Sequence, residues 1–244
     1  MQIVYVMQQN KINILSTSVL EQSLIAKAAA KNIFIENISF IETEINRNEF
    51  LHERILHLAH HQLTVIFTSK NAVEVVAKHL QNIKPNWKIF CVGSITRSLI
   101  KENFDEGLIA GTADSASALG DVIIRKKNVT TALFFCGDKR RNELSDKLQQ
   151  HNIEVNEIEV YKTFETPYAV TSYYDAIFFY SPSAVSSFFS INKINEQTIL
   201  FAIGNTTANE IKKYSDNKII IGKEPTKELL IDEAINYFSS IIYH

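Results

Sequence analysis

One strand–turn–helix pattern occurs twice in this chain, and it constrains the fold more than any other feature. The later copy has a continuous apolar run at Ala176–Tyr180, a serine at the N-cap position (Ser181) and Pro182 just inside the helix. Such a run is typical of a strand covered on both faces, and proline suits the first helical turn because an N–H there has no partner. Free backbone N–H groups and hydroxyls at this turn predict a site for an anion.

The earlier copy lies 112 residues upstream, at Val65–Val73. Aligning the two copies places Ser69 on Ser181 and Asn71 on Ser183. The same device, an apolar strand followed by a capping serine and a helix, is therefore expected at both places.

Further landmarks follow both copies in the same order. Each copy precedes a strand ending in glycine, a threonine three residues after that glycine, and a second glycine 18 residues after the first. The positions are Gly93, Thr96 and Gly111 in the first half, and Gly204, Thr207 and Gly222 in the second. Landmarks in register across two halves predict an α/β protein of two similar domains, with parallel sheets flanked by helices.

We expect domain one to be discontinuous in sequence. It would comprise residues 1–37 and 168–244, and domain two, residues 48–158, would be inserted into it. The linker strands would be residues 38–47 and 159–167, which can pair into a hinge. A ligand cleft is expected between the domains, because open α/β sheets bind ligands at the carboxyl ends of their strands.

Composition excludes several classes of protein. Hydrophobic residues make up 45% of the 244 residues and charged residues 21%, as in globular proteins, and the net charge of −2 predicts neither a nucleic-acid nor a membrane partner. Two cysteines in separate predicted strands, Cys91 and Cys136, exclude a disulfide framework. No apolar run could span a bilayer, and residues 1–7 are too short for a signal sequence, so we expect a cytoplasmic protein.

Two clusters of titratable side chains have competing interpretations. His57 and His61 have the i, i+4 spacing of a metal pair, but no partner cysteine or H-E-x-x-H pattern accompanies them, which favours a solvated helix. Lys139, Arg140 and Arg141 open a predicted helix after a strand-end glycine. They are either a solvated face or part of an anion site, because they lie at the same sheet edge as the capping serine.

Hydroxyl side chains recur at the predicted strand-to-helix turns, whereas nucleotide-binding and hydrolase fingerprints are absent. The hydroxyl residues are Thr68, Ser69, Thr96, Ser181, Ser183, Thr206 and Thr207. Each alone is typical of helix capping, but together they would line the carboxyl ends of two sheets. Helix N-termini at this edge would bind carboxylates or phosphates.

Seven short motifs occur in a fixed order between about residues 65 and 235. They are Phe67–Val73, Val92–Thr96, Cys136–Leu144, Val160–Thr163, Phe179–Val185, Ala202–Ala208 and Pro225–Leu230. As a set they resemble the uroporphyrinogen-III synthase family. The chain departs from the family pattern after the first strand, where many members carry Thr-Arg-Pro and this chain has Ser16, Thr17 and Ser18.

The resemblance implies a monomeric two-domain enzyme of haem biosynthesis, a hydro-lyase that uses no cofactor and no metal. The family closes hydroxymethylbilane, a linear tetrapyrrole rich in carboxylates, into uroporphyrinogen III while inverting ring D and losing water. The substrate-binding residues that the resemblance implies are Ser69, Asn71, Gly93, Thr96, Gly137, Arg141, Ser181, Ser183, Thr206 and Thr207.

Tyr161 matches the family tyrosine in the motif Val-Tyr-x-Thr. The resemblance implies that it is catalytic, as the donor of a proton to the departing hydroxyl. The alternative is a structural tyrosine of the linker strand, with a packed ring and a solvated hydroxyl.

Two other functions are compatible with two α/β domains. A non-catalytic, two-lobed binder of a polyanionic small molecule would close on its ligand and release no product. A nucleotide-sugar transferase would require a paired-carboxylate metal site or a diphosphate-binding glycine loop, and the sequence has neither. The synthase is therefore the favoured prediction, and the binder comes second.

Overall fold

The computed structural model describes residues 11–242, so the stretch 1–7 lies outside the described residues. In chain order the strands are β1 (Ile12–Ser16), β2 (Ile33–Asn37), β3 (Ile41–Ile45), β4 (Leu63–Phe67), β5 (Trp87–Val92), β6 (Ile109–Ala113), β7 (Thr131–Gly137), β8 (Glu154–Glu165), β9 (Ala176–Phe179), β10 (Ile199–Ala202) and β11 (Ile219–Ile221). The helices are α1 (Gln22–Ala29), α2 (Glu49–Ala59), α3 (Lys70–Leu80), α4 (Ser94–Asn103), α5 (Ala116–Ile124), α6 (Glu143–Gln150), α7 (Pro182–Phe189), α8 (Asn205–Ile211) and α9 (Lys227–Ile242). This confirms the predicted α/β fold of parallel sheets flanked by helices.

The chain divides into two compact units. Unit 1 contains Met1–Glu42 and Phe164–His244, and unit 2 contains Thr43–Thr163. Each unit is built on one sheet. The strand order is β11-β10-β9-β1-β2 in unit 1 and β3-β8-β7-β4-β5-β6 in the sheet of unit 2.

The two sheets share one arrangement, although the chain builds it in a different order. β9, β10 and β11 occupy the places in unit 1 that β4, β5 and β6 occupy in unit 2. β1 and β2 occupy the places of β7 and β8, so the pair that comes first in unit 1 comes last in unit 2. All of these neighbours pair in parallel, so their carboxyl ends lie at one edge within each sheet.

Burial explains why the central strands read as continuous apolar runs. The side chains of Val65, Ile66 and Phe67 in β4 are fully buried, and so are those of Phe178 and Phe179 in β9. Helices cover both faces of each sheet, and each face has its own apolar cluster. A parallel strand covered on both faces has no solvent side, so alternation disappears from its sequence.

The chain passes between the units within β3 and β8, which are neighbours in the sheet. The N–H of Thr166 donates to the Phe40 carbonyl (3.0 Å), and the N–H of Asn46 donates to the Val160 carbonyl (3.0 Å). The two strands therefore run in opposite directions. Their action as a hinge stays a prediction.

Both stretches expected to be linker strands contain strand residues, although not over their whole length. β3 occupies Ile41–Ile45 of the stretch 38–47, and β8 continues through the second stretch as far as Glu165. β3 reads as polar because it is an edge strand whose three central side chains are exposed.

The second glycines of the predicted repeat are not structural equivalents. Gly111 lies inside β6, whereas Gly222 follows β11.

Within the described residues, no helix is long and apolar enough to cross a bilayer.

Candidate active site

The turn between β4 and α3 forms as the repeated pattern predicted. Ser69 is the N-cap of α3, with extended backbone, and its Oγ accepts a hydrogen bond from the N–H of Asn71 at 3.2 Å. Both side chains are half-buried at the carboxyl edge of the unit 2 sheet. A capping serine here satisfies one of the free N–H groups of the first helical turn.

Tyr161 meets Ser69 at this edge. Its hydroxyl donates to Ser69 Oγ at 3.0 Å, across 92 residues of sequence. The tyrosine lies on β8 opposite Gly137, the last residue of β7, where the pairing register shifts. Its ring packs against the apolar cluster under α2 and α3. The ring is thus fixed by packing, while the hydroxyl reaches the polar turn.

Gly137 is required for the position of the Tyr161 ring. A Cβ placed on Gly137 would lie 2.4 Å from two ring carbons of Tyr161 and 2.9 Å from its hydroxyl oxygen. No side chain fits in that space without moving the ring. The role of Gly137 in the structure is therefore to seat the tyrosine, a function that the motif alone did not show.

The environment of Tyr161 favours its protonated form. Burial raises the pKa of Tyr161 above its usual value, the hydrogen bond with Ser69 opposes this rise, and the nearby Cys136 and Asp138 add to it. Because a buried phenolate lacks solvation, the hydroxyl keeps its proton at neutral pH. A neutral, fixed O–H is what a proton donor requires.

The cations after β7 lie in a turn, so the prediction that they open a helix was wrong. α6 begins only at Glu143, and Lys139 and Arg141 are exposed in the preceding turn. Arg140 forms an ion pair with Glu157, whose second oxygen accepts from Ser145 at 2.6 Å. Burial opposes ionisation of Glu157, but the hydrogen bonds from Arg140 and Ser145 outweigh it and lower its pKa.

Arg140 is consequently tied into the structure of unit 2 by its ion pair, although all three cations of the run are exposed. The neighbouring Asp138 is also used locally, because its Oδ1 accepts from the N–H of Thr163 at 2.8 Å. This bond ties the turn after β7 to β8, two residues beyond Tyr161.

The strand-end glycine after β5 has a conformational reason. Gly93 is the N-cap of α4 with φ at +82°, in the region that only glycine adopts without strain. Thr96, three residues later, is only 5% exposed and shares the buried face of α4 with Ile100. Its burial favours a packing role over substrate contact.

Unit 1 repeats the capped turn at the end of β9. Ser181 is the N-cap of α7, its Oγ accepts from the N–H of Ala184 at 3.2 Å, and Pro182 occupies the first turn. Ser183 is half-buried beside it. Thr206 is exposed at the start of α8, whereas Thr207 is 1% exposed and lies on the buried face with Ile211.

The predicted site residues therefore fall into two groups at two sheet edges. Ser69, Asn71, Gly137 and Tyr161 come together in unit 2, and Ser181 and Ser183 come together in unit 1. The sequence search missed three polar residues at the unit 1 edge, which are Ser16, Tyr180 and Lys227. Tyr180 directly precedes Ser181, and Lys227 directly follows the motif threonine Thr226, so both were next to residues already selected.

Among the described residues, the histidine side chains do not form a metal site, and the cysteine thiols are not activated as nucleophiles. The Nε2 atoms of His57 and His61 are 3.3 Å apart on an exposed surface, and the described residues contain no group of three or more histidine, cysteine or acidic side chains that could hold an ion. Burial raises the pKa of the Cys91 thiol to about 11 and that of Cys136 to about 12. Both thiols are therefore protonated at neutral pH.

Comparisons with solved structures find the same fold. The chain is similar to uroporphyrinogen-III synthetase from Helicobacter pylori, with 17% identity over 93% of this chain and 99% of that one, at a TM-score of 0.62. It is similar to a mutant uroporphyrinogen III synthase from Thermus thermophilus, with 14% identity over 94% and 99% of the two chains, at a TM-score of 0.68. The wild-type Thermus thermophilus enzyme gives 14% identity, 95% and 99% coverage and a TM-score of 0.54.

The solved structures show the fold, and a family model shows the family. A comparison with curated protein sequences finds no significant match. The model described as uroporphyrinogen-III synthase HemD, however, matches residues 23–232, which is most of the chain. The match includes both capped turns and Tyr161. This chain belongs to the uroporphyrinogen-III synthase family.

Proposed function

We propose that this chain is a uroporphyrinogen-III synthase, a hydro-lyase that closes hydroxymethylbilane with inversion of ring D and loss of water. Family membership supports the reaction. The observation that carries the proposal is the Tyr161 hydroxyl, protonated, seated on Gly137 and held 3.0 Å from Ser69 Oγ at a sheet edge rich in free N–H groups.

The substrate is a polyanion, and both sheet edges offer donors for its carboxylates. In unit 2 the proposed contacts are Ser69, Asn71, Gly93 and Arg141, and in unit 1 they are Ser181, Ser183 and Thr206. The helices α3, α4 and α7 begin next to Ser69, Gly93 and Ser181, and helix N-termini favour anions through their free N–H groups. Thr96, Thr207 and Gly137 act in this proposal as buried supports.

Tyr161 donates its proton to the terminal hydroxyl of the bilane, and the C–O bond breaks with release of water. The pyrrole nitrogen supplies the electron pair, which leaves an electrophilic azafulvene. The substituted carbon of ring D attacks the azafulvene carbon from which the hydroxyl departed, and a spiro intermediate forms. This intermediate fragments and recloses with ring D inverted. The carbon that closes the ring then loses a proton, which returns to Tyr161.

Ser69 stabilises the tyrosine in both of its protonation states. Its Oγ accepts from the neutral phenol in the structure. After proton transfer, rotation of the serine hydroxyl allows it to donate to the phenolate oxygen, because a hydroxyl is both donor and acceptor. Because Ser69 can donate to the phenolate, this hydrogen bond lowers the pKa of Tyr161 and so opposes the effect of burial.

The second candidate is a non-catalytic binder of a polyanionic small molecule. It is supported by the capped turns alone and has no use for a fixed, buried tyrosine hydroxyl. The synthase proposal needs no cofactor or metal. The expected monomeric state and cytoplasmic location remain parts of the proposal that rest on the sequence.

A coupled assay separates the two candidates. Hydroxymethylbilane is generated in situ, the folded protein is added, and the products are oxidised and separated as uroporphyrin isomers. The synthase gives isomer III. A binder leaves spontaneous closure to isomer I, in which ring D is not inverted, and heat-denatured protein is the control.

A further inference from the structure

An aspartate side chain continues the hydrogen-bond ladder of the unit 2 sheet where β7 ends. β7 stops at Gly137, and the next residue is Asp138. The N–H of Asp138 donates to the Tyr161 carbonyl at 3.2 Å. Its Oδ1 accepts from the N–H of Thr163 at 2.8 Å. The carboxylate therefore takes the place that a backbone carbonyl would have in a longer strand, and β8 stays paired beyond the last residue of β7.

These two bonds follow an irregularity in the pairing of β7 with β8. Cys136 pairs with Glu159, whereas Gly137 pairs with Tyr161, so β8 contributes one residue more than β7 at this point. A bulge of this kind changes the direction in which the next side chains point, and bulges are frequent beside active sites. The bonds to Asp138 fix the backbone of β8 directly beyond the bulge, where Tyr161 lies.

The charge of Asp138 acts on the same tyrosine. Burial is the largest cause of the raised pKa of Tyr161, and the nearby Cys136 and Asp138 raise it further. The Asp138 side chain is half-buried, so solvent screens its charge less than that of an exposed carboxylate. A negative charge close to a phenol disfavours the phenolate, and Asp138 therefore helps Tyr161 to keep its proton.

The groups that neighbouring elements direct at Tyr161 are neutral at the pH of an assay. From β7, the Cys136 thiol donates to the Ile158 carbonyl at 3.7 Å, and burial raises the pKa of this thiol to about 12. From the start of α3, the contact is the Ser69 hydroxyl, and the adjoining Lys70 is exposed. The ring itself packs against the apolar cluster under α2 and α3.

The charged groups on the strand of Tyr161 pair with one another. Lys162 lies 3.9 Å from Glu159, and both side chains are exposed, so solvent screens them. Asp138 is therefore the ionised group whose removal should change the titration of Tyr161 most directly.

We infer that Asp138 is a positioning residue of the active site, which fixes the segment of β8 that presents the Tyr161 hydroxyl. The inference rests on the proposed function, because proton donation by Tyr161 is part of that function. Gly137 leaves room for the ring of the tyrosine, and Asp138 holds its backbone. Asp138 acts on the reaction through Tyr161 and has no contact with the substrate in this account.

The test compares two substitutions of Asp138 in the full chain, with isomer III formation from hydroxymethylbilane as the assay. Asp138→Ala removes both the acceptor for Thr163 and the charge. It is expected to lower kcat about tenfold or more and to leave KM unchanged, because the acid loses its orientation and the substrate loses no contact. Asp138→Asn keeps an oxygen that accepts from Thr163, and is expected to hold kcat within about threefold of wild type at neutral pH.

Asp105 provides the matched control. Its Oδ1 also accepts from a backbone N–H at 2.8 Å, that of Gly107, and it belongs to the same unit. It comes just before β6, at the amino end of that strand and away from the carboxyl edge that carries Tyr161. Asp105→Ala is expected to have the kcat of wild type.

The pH profile provides a readout that a purely structural aspartate would not move. Turnover requires the protonated phenol, so it falls as the pH rises through the pKa of Tyr161. Asp138→Asn removes a charge that raises this pKa, so the alkaline limb of its profile should move to lower pH. Asp105→Asn should leave the limb in place. Circular dichroism defines the pH range in which each protein is folded.

The same shift is measured without substrate. The ultraviolet absorbance of phenolate is recorded against pH for each protein and for its Tyr161→Phe counterpart, and the difference between the two curves is the titration of Tyr161. In the Asp138→Asn background this titration should occur at lower pH than in wild type.

Equal kcat values in Asp138→Ala and Asp105→Ala, or a Tyr161 titration that is the same in Asp138→Asn and wild type, would overturn the inference. The titration decides alone if Asp138→Ala does not fold. The isomer assay on wild type is a separate test of the proposed function. Isomer I from wild type, together with a shifted titration in Asp138→Asn, would reject the synthase and keep the control of Tyr161 by Asp138. Isomer III from wild type with no difference between the Asp138 and Asp105 variants would do the reverse.

Discussion

Tyr161 is held by its ring and by its hydroxyl through different parts of unit 2. The ring lies on Gly137 and against the apolar cluster, and the hydroxyl is bonded to the residue that caps α3. A side chain fixed at both ends loses little further freedom when it acts, which is the condition for efficient proton donation. This arrangement separates Tyr161 from a tyrosine that only packs.

Replacement of Tyr161 by phenylalanine should remove the proton donor and leave the ring in place. We expect kcat for isomer III formation to fall about 100-fold, the lower end of general acid catalysis. The unfolding free energy should fall by only about 1 kcal/mol, the value of one hydrogen bond. Both are measured on the same preparation, by isomer separation and by urea unfolding. Turnover like that of wild type would rule out Tyr161 as the acid.

Replacement of Gly137 by alanine should displace the Tyr161 ring, because the new methyl group would lie 2.4 Å from it. We expect a loss of about 1–3 kcal/mol in stability from overpacking, together with a fall in kcat of about tenfold or more. Gly111→Ala is the matched control, since its methyl group would press on Val122 at 2.8 Å, away from the tyrosine. Full activity per folded molecule in Gly137→Ala would contradict the seating role.

The sequence identified Ser69, Gly137 and Tyr161 individually, but not their contact. Motif spacing carries no information on which side chains meet across a sheet, and Tyr161 reaches Ser69 only because β8 and β4 both flank β7.

At the scale of elements, Ser69 has two tasks that can be separated. Its Oγ caps α3 and also accepts from Tyr161, whereas Ser115 caps α5 by accepting from the N–H of Ala118 at 3.2 Å and has no catalytic contact in this proposal. Comparison of the two caps therefore isolates the contribution of the tyrosine contact.

Ser69→Ala and Ser115→Ala should each lower the unfolding free energy by about 1 kcal/mol through loss of a cap. Only Ser69→Ala should also lower kcat, because only Ser69 orients Tyr161. Urea unfolding and isomer III formation are measured for both variants at a temperature at which both remain folded. Equal kcat values in the two variants would reduce Ser69 to a helix cap.

Elements buried on both faces could be located more precisely from the sequence than edge elements could. β4 and β9 consist of apolar runs because no face meets water. β3 is exposed at its centre, so the sequence indicates it only as part of the linker 38–47. The cations after β7 resemble a solvated helical face and predict a helix, although they lie in a turn.

At the scale of the whole molecule, tyrosines that are wholly or partly buried link stability to alkaline pH. The pKa values of Tyr161, Tyr174 and Tyr180 are all raised, with burial as the largest cause. Tyr174 reaches about 12, since its hydroxyl also donates to Glu36 Oε2 at 2.5 Å. A raised pKa means that the folded state holds these protons more tightly than the unfolded chain does.

The unfolding free energy should therefore be constant up to about pH 10, where unfolded tyrosines titrate, and should fall as the pH rises toward about 12. Tyr174→Phe should make this fall less steep, because one of the linked protons is gone. Tyr173→Phe, at the exposed neighbouring position, should leave it unchanged. Urea unfolding at about pH 9 and about pH 11 measures the difference. An identical fall in both variants would remove Tyr174 from the linkage.

The two units use one sheet arrangement built in two chain orders, and each places a capping serine at the end of its central strand. The motif repeat covered only three strands of each unit, because β1–β2 and β7–β8 precede and follow those strands respectively. An alignment of the two halves with one constant offset cannot match β1 and β2 with β7 and β8, because these pairs come at different points in the chain order. The remaining parts of each sheet were therefore not assigned as equivalents from the sequence.

The most direct measurement is the fraction of isomer III as the protein concentration is raised against a fixed supply of hydroxymethylbilane. Spontaneous closure competes with the enzyme, so isomer I should dominate at low protein and isomer III should approach the whole product at high protein. The same titration with Tyr161→Phe should require much more protein to reach the midpoint. A product that stays isomer I at every concentration of folded wild-type protein would contradict the proposed synthase activity.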